Sequence, residues 1–145
     1  MTIQELAKQS SGISCQYTIT PEIYYSFQRV SNDFNPLHTD KYFAESMGFP
    51  DRVMYGNILN AFISHFVGML LPTRSVIIQT QEIDFHKPVF MNDLITLDSS
   101  IDTISEAANA IIYKLKFYRE NMGGGKKQLV AKGHVQIGIL NDKQV

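Results

Sequence analysis

A single cysteine, Cys15, is all the thiol chemistry in the 145 residues. No disulfide can close within the chain, and no thiolate cluster exists to hold zinc. Cys15 has no histidine or other base near it in sequence, so it reads as a small apolar side chain rather than a nucleophile. Excess charge of either sign is also missing, since 13 basic and 14 acidic residues leave a net charge of −1 and a pI near 6.4. Phosphate backbones and anionic membranes attract proteins through a positive field, so neither nucleic acid nor a membrane surface is expected as a partner. The opening MTIQELAKQSSG lacks a charged start followed by an apolar run of about 7–15 residues, so a cytoplasmic place is expected. The longest apolar stretch, residues 56–71, carries Asn, Ser and His and is too short to span a bilayer. The four histidines, His38, His65, His86 and His134, include no i, i+4 pair, and no metal site is expected.

What is present fits one domain over residues 1–145, large enough to bury a core. ISCQYTIT is rich in β-branched residues and predicts a strand that ends at Thr20-Pro21. Thr20 can cap a helix and Pro21 suits its first position. PEIYYSFQRVSN then spaces Ile23, Phe27 and Val30 along one helical face. The DFNPLH segment breaks that helix, because the residue before a proline leaves the α region. Thr39 and Asp40 start another short helix, DKYFAESMG, closed by Gly48 and Pro50.

Residues 56–71, GNILNAFISHFVGMLL, are hydrophobic nearly all round and predict a central helix buried on nearly every side. Beyond Pro72 the period becomes two. IIYKLKFYR sets Ile111, Tyr113, Leu115 and Phe117 on one face, and LVAKGHVQIGI does the same with Leu129, Ala131, Val135 and Ile137. Gly123-Gly124-Gly125 supplies the positive φ for a hairpin between them, and Lys126 and Lys127 beside it read as solvated. SVIIQTQEIDFHKPV and DLITLDSSIDTI predict two further strands, joined by a turn at Met91-Asn92-Asp93. A bent antiparallel sheet is the simplest wrapper for a buried helix, which makes the class α+β.

SNDFNPLHTD, residues 31–40, is the stretch with chemical content. Pro36 fixes its own φ and forces Asn35 extended, so the chain reverses and Asp33 and His38 can point into one space. A carboxylate and an imidazole that share a water can take its proton during attack on an electrophile and return a proton to the product. The same residues also suit a plain turn, in which Asp and Asn bond their own backbone and Thr39 caps a helix. The hexapeptide leaves both readings open.

On the central helix Asn57, Asn60 and Ser64 fall at i, i+3 and i+7, and a polar stripe on a buried helix needs partners. Bonds across to the sheet are the simpler account of Asn60 and Ser64. Gly56, at the helix start, has no side chain to obstruct a ligand, and free N–H groups point outward there. Such a place suits a carbonyl oxygen gathering charge, where one donor is typically worth about 2.7–4 kcal/mol.

SNDFNPLHTD, then MYGNILNAFIS, then IDFHKPVFMNDLITL: in this order the chain from about Pro21 to Ile101 resembles the (R)-specific enoyl-CoA hydratases of the MaoC-like group, which have the hot-dog fold. The resemblance implies that Asp33 and His38 hold and activate the water added to C3 of a trans-2-enoyl thioester. It implies an orienting, turn-forming Asn35, a Gly56 N–H that meets the thioester carbonyl, and a Ser64 that organises the pocket. It further implies a homodimer with sheets joined edge to edge, an acyl-CoA or acyl-carrier-protein thioester as substrate, and no metal or redox cofactor.

Two positions depart from the group, whose His before the glycine and Met after it are here Tyr55 and Asn57. With Asn35, Asn60 and Ser64 they are expected to line a substrate pocket more polar than usual, suited to a short or hydroxylated acyl group or a carrier-protein thioester. His65 reads as a packed histidine bonded to a neighbour. Two other functions stay open: acyl-CoA hydrolysis, which the same fold and donor serve, and a non-catalytic acyl-thioester binding or dimerisation module. The intact Asp33/His38 pair speaks against the last.

Overall fold

The computed structural model describes residues 1–121 and 123–141. Its first element, α1 (Ile3–Gln9), is not expected from the sequence reading above, although its cause is local. Glu5 N–H donates to the Thr2 hydroxyl (3.1 Å) and Thr2 N–H to the Glu5 carboxylate (2.8 Å), a capping box that satisfies two orphan donors. Those bonds hold the Glu5 carboxyl below its ordinary pKa. Ile3, Leu6 and Ala7 are buried, and Ser10 just past the helix shares a hydrogen bond with the Tyr113 hydroxyl at 2.7 Å.

The chain continues through β1 (Ser14–Thr18), α2 (Pro21–Ser31), α3 (Pro36–Thr39), α4 (Lys41–Ser46) and α5 (Ile58–His65), which runs on into a π-helical turn, Phe66–Leu70. Four long strands follow: β2 (Val76–Phe85), β3 (Leu94–Ser105), β4 (Ala110–Arg119) and β5 (Gln128–Ile139). All pairings are antiparallel, in the order β1-β3-β4-β5-β2. Ile111, Tyr113, Leu115 and Phe117 of β4 are each 0% exposed, as are Ala131, Val135 and Ile137 of β5, so the two-residue period holds there; it breaks at the start of β5, where a register shift buries Val130 in place of the expected Leu129. Burying each larger side chain contributes about 1.5–3 kcal/mol. The inner face of the sheet meets α5, where Phe66 packs edge-on against Tyr113 at 5.4 Å. The β4–β5 hairpin turns at Gly124, φ 85°.

Several local expectations need correction. The turn expected at Met91-Asn92-Asp93 does connect β2 to β3, but the two strands are not neighbours, since β2 pairs with β5 while β3 lies between β1 and β4. The Met91-Asn92-Asp93 turn is tied to the end of β1 instead, with Asn92 N–H donating to Ile19 O (2.7 Å) and Ile19 N–H to Asp93 O (2.9 Å). Turn residues mark where a chain bends, not which strand it then joins. The central helix is buried on one face only: Ile58, Leu59, Phe62, Ile63, Phe66 and Val67 face inward, whereas Ala61, Ser64, His65, Gly68 and Met69 are exposed. On α2 the fully buried residue is Tyr24, and Val30 is 86% exposed. Asp40, not Thr39, caps α4, accepting from Tyr42 N–H (2.9 Å) and Phe43 N–H (3.3 Å). The Thr39 hydroxyl donates back to Asn35 O (3.2 Å) within α3, a one-turn helix that the sequence reading left as a break.

Candidate active site

A left-handed residue and two local bonds shape the segment after α2. Asn32 takes the left-handed conformation, φ 53°, and ends the helix. Asp33 Oδ1 then accepts from Asn35 N–H (2.9 Å), and Asn35 Oδ1 accepts from Leu37 N–H (2.9 Å) as Pro36 begins α3. The second bond makes Asn35 the cap of this one-turn helix, in keeping with a turn-forming residue.

His38 emerges from that turn with Nε2 3.9 Å from Asp33 Oδ2. Its Nδ1 lies 2.6 Å from the Val53 carbonyl. A carbonyl only accepts, so Nδ1 carries the proton, and in the neutral ring Nε2 presents a lone pair toward the carboxylate. Two acceptors at this separation do not bond each other. A single water, donating to both at ordinary lengths of about 2.7–3.0 Å, fits between them. The His38 side chain is 17% exposed and that of Asp33 44%, so such a water can exchange with solvent.

The turn rests on two buried tyrosines. Tyr55, 2% exposed, holds its ring 4.3 Å from the His38 ring at a tilt of 35° and donates its hydroxyl to the Asp33 carbonyl. Tyr24, 1% exposed, donates to the His38 carbonyl at 2.7 Å. Gln28 Nε2 reaches both hydroxyls, at 3.2 Å from Tyr55 and 3.4 Å from Tyr24. Burial raises the Tyr55 pKa, so its hydroxyl stays a donor throughout the neutral range. Sequence reasoning selected Tyr55 for the pocket lining and passed over Tyr24 and Gln28. The structure places Tyr55 behind the turn, and the only sequence trace of the other two is their i, i+4 spacing on α2.

Gly56 and His38 line one cavity. A cavity of about 430 Å³ has His38, Val53, Gly56, Asn57 and Phe85 among its walls, while Asp33 reaches it only as His38's neighbour. At the start of α5 the N–H groups of Ile58, Leu59 and Asn60 each bond back three residues, to Tyr55, Gly56 and Asn57. Among the described residues nothing accepts from Gly56 N–H or Asn57 N–H. Two backbone donors are therefore free at the positive end of a helix dipole, on residues that line the same cavity as the imidazole. A Cβ on Gly56 would sit 3.0 Å from the Phe85 ring, so even a methyl crowds this wall.

The remaining expected residues divide. Asn57 lines this cavity and also a second, apolar one of about 560 Å³ between α2 and α5, bordered by Ile23, Phe27, Val30 and Ala61. Asn60 donates to Asn57 Oδ1 (2.9 Å) and accepts from Gln81 (2.5 Å), so it bonds across to β2 while bordering the second cavity. Ser64 lies on the exposed face of α5 and does not join the cluster. His65 bonds the Tyr17 hydroxyl at 2.8 Å, the expected bond to a neighbour, but it is exposed rather than packed inside. Lys127 is held 3.6 Å from Asp98 and over the Tyr118 ring. No group of three or more metal-ligating side chains occurs among the described residues.

The sequence profile of the MaoC like domain matches residues 3–114. The chain belongs to the MaoC-like domain family. This MaoC-like chain is 33% identical over 81 residues to the (R)-specific enoyl-CoA hydratase of Aeromonas caviae, a match covering 56% of the chain and 60% of that relative. To the (R)-specific enoyl-CoA hydratase of Rhodospirillum rubrum it is 32% identical over 89 residues, 61% of the chain and 62% of the relative. The matches thus span less than two thirds of either curated relative. Among solved structures, the (R)-hydratase from A. caviae involved in PHA biosynthesis superposes with a TM-score of 0.77 at 24% identity, covering 89% of this chain and 94% of that one. That likeness establishes the shared α+β hot-dog fold.

Proposed function

We propose that this MaoC-like chain catalyses the reversible hydration of trans-2-enoyl thioesters to (R)-3-hydroxyacyl thioesters. The observation that carries the reading is the 3.9 Å approach of Asp33 Oδ2 to His38 Nε2, close enough for one water to bridge the two from the side, next to a cavity that Gly56 also lines. The thioester carbonyl accepts that N–H. A water donating to the pair gives up a proton to it while its oxygen bonds C3, and the C2–C3 π electrons move onto the carbonyl oxygen. The enolate then collapses as the pair returns a proton to C2. No electrons are gained or lost, so the step needs no redox cofactor. Holding water and substrate in register can remove up to roughly 7–11 kcal/mol of barrier, and acid–base transfer adds about 10²–10⁴-fold.

Residues 1–145 act as one domain in this reading, with the acyl thioester of CoA or of a carrier protein as substrate. β2 is an edge strand with exposed Ile77 and Phe85, and it is the edge on which a second copy would pair to form a homodimer. No helix among the described residues is long and apolar enough to cross a membrane. The proposed place of action is the cytoplasm.

Crotonyl-CoA tests the reading. Wild-type protein should deplete the enoyl absorbance without releasing thiol, and Asp33→Asn or His38→Ala should lower the rate by about 10²–10⁴-fold at unchanged melting temperature. Thiol release would indicate hydrolysis instead. Activity within a few-fold of wild type in both variants would overturn the assignment of the pair.

A further inference from the structure

We infer that Gln28, which borders neither cavity beside the site, is the positioning residue that sets the Asp33–His38 separation. The inference rests on the hydratase reading for its kinetic consequence, but not for its geometry. One side-chain amide carries two N–H bonds, and both are used: one on the Tyr55 hydroxyl, one on the Tyr24 hydroxyl. Each phenol, its lone pair engaged, directs its single proton to a backbone carbonyl. Tyr55 donates to Asp33 O and Tyr24 to His38 O. The two carbonyls belong to the two members of the catalytic pair. A single NH₂ group therefore anchors both ends of the turn through two parallel relays, and donor chains of this kind strengthen one another.

The rest of the arrangement explains why this anchor matters. Tyr24 and Gln28 lie one turn apart on α2, so their spacing is fixed by the helix. Tyr55 is fixed from the other side, since Met54 N–H donates to Val89 O (2.9 Å) and Val53 N–H to Leu37 O (3.1 Å). Gln28 is the hydrogen-bonding bridge between these two bodies, beside the non-directional ring contacts that Tyr24 and Phe27 make with Tyr55. Without its donors each phenol keeps its bond to the turn and its burial, so the fold survives. What is lost is the coupling that holds the two phenols at one separation, and through them the 3.9 Å gap. A displacement of 1 Å can cost about 10²-fold in rate, so a partial loosening is expected to cost about tenfold.

Gln28→Met preserves the length and bulk of the side chain and removes both donors. With crotonyl-CoA it should lower kcat about tenfold and leave KM within about twofold, because Gln28 does not border the cavities. Gln28→Glu adds a signature that a merely structural role would not give. Its protonated carboxyl supplies one donor, whereas its carboxylate only accepts and draws the phenol protons off the turn. The ratio of its kcat to that of wild type should therefore fall as pH rises through the glutamate titration. A raised KM at unchanged kcat, or a flat ratio with Gln28→Met at wild-type rate, would overturn the inference. A readout independent of turnover separates its failure from that of the hydratase reading. In the free protein, Gln28→Met should shift the NMR resonances of residues 33–38 and the His38 ring while those of β4 and β5 stay in place. Unchanged resonances in the turn would sink the clamp even if wild type hydrates crotonyl-CoA. Shifted resonances in a protein that hydrates nothing would uphold the clamp and refute the reaction.

Discussion

Phe117 in β4 and His38 in the turn after α2 are held in place by opposite means. Phe117 is 0% exposed among Ile111, Tyr113, Leu115 and the β5 residues Ala131, Val135 and Ile137, all equally buried. Its position is fixed by close packing, which is non-directional and shared among many neighbours. His38 is fixed by one bond from Nδ1 to Val53 O, by ring contact with Tyr55, and by the backbone bond from Tyr24. The two hydrogen bonds are directional, and with the bond from His38 N–H to Asn35 O (2.9 Å) they are few. A region held by packing resists small changes and fails as a whole, whereas one held by single bonds shifts when one atom is removed. Asp33 and His38, the pair proposed to hold the water, stand on the second kind of support.

Three substitutions sharpen that contrast, the first with the largest effect. Phe117→Ala should cost about 3–5 kcal/mol of stability, read by denaturant unfolding. Activity should fall only with the folded fraction, leaving kcat per folded molecule unchanged. Gly133→Ala comes next. A Cβ there collides with the Glu82 carbonyl oxygen of β2, a backbone atom that cannot move without disturbing the β2–β5 pairing. We expect about 1–3 kcal/mol lost, again without a specific effect on kcat.

Tyr55→Phe belongs to the other region and should reverse the pattern. It removes one hydroxyl and about 0.5–1.5 kcal/mol of stability, yet kcat should fall beyond what the folded fraction explains. Because burial raises the Tyr55 pKa, the folded state favours the protonated phenol. Its contribution is then fully present below the unfolded value of about 10 and lost only as pH rises through the higher folded one. The stability gap between wild type and variant should hold at pH 7 and narrow in strong alkali.

The same contrast governs what the sequence revealed. β4 and β5 were legible because their cause is repeated at every second residue, and many residues carry it together. The Asp33-Asn35-Pro36-His38 turn was legible because its bonds run between residues two apart. The pairing of β2 with β5 was not, since Ile83 finds Gly133 fifty positions on and nothing local encodes that choice. Nor was the open face of α5, because Ala61, Gly68 and Met69 look as apolar as the residues that are buried. Thr2 and Glu5 did have the spacing of a capping box, a local signal left unused. Gln28 and Tyr24 could not be found from sequence, because what makes them matter is Tyr55, which arrives from a different part of the chain.

The central claim is that the turn holds a carboxylate and an imidazole around one water, next to a cavity that a free backbone donor also lines. Turnover of a trans-2-enoyl-CoA in H₂¹⁸O, with mass analysis of the product, tests it most directly. The account predicts ¹⁸O on C3 of an (R)-3-hydroxyacyl-CoA, with the label lost when Asp33 is changed to Asn. Label appearing in a free carboxylate, or on C3 at the same rate in the Asp33→Asn protein, would contradict it.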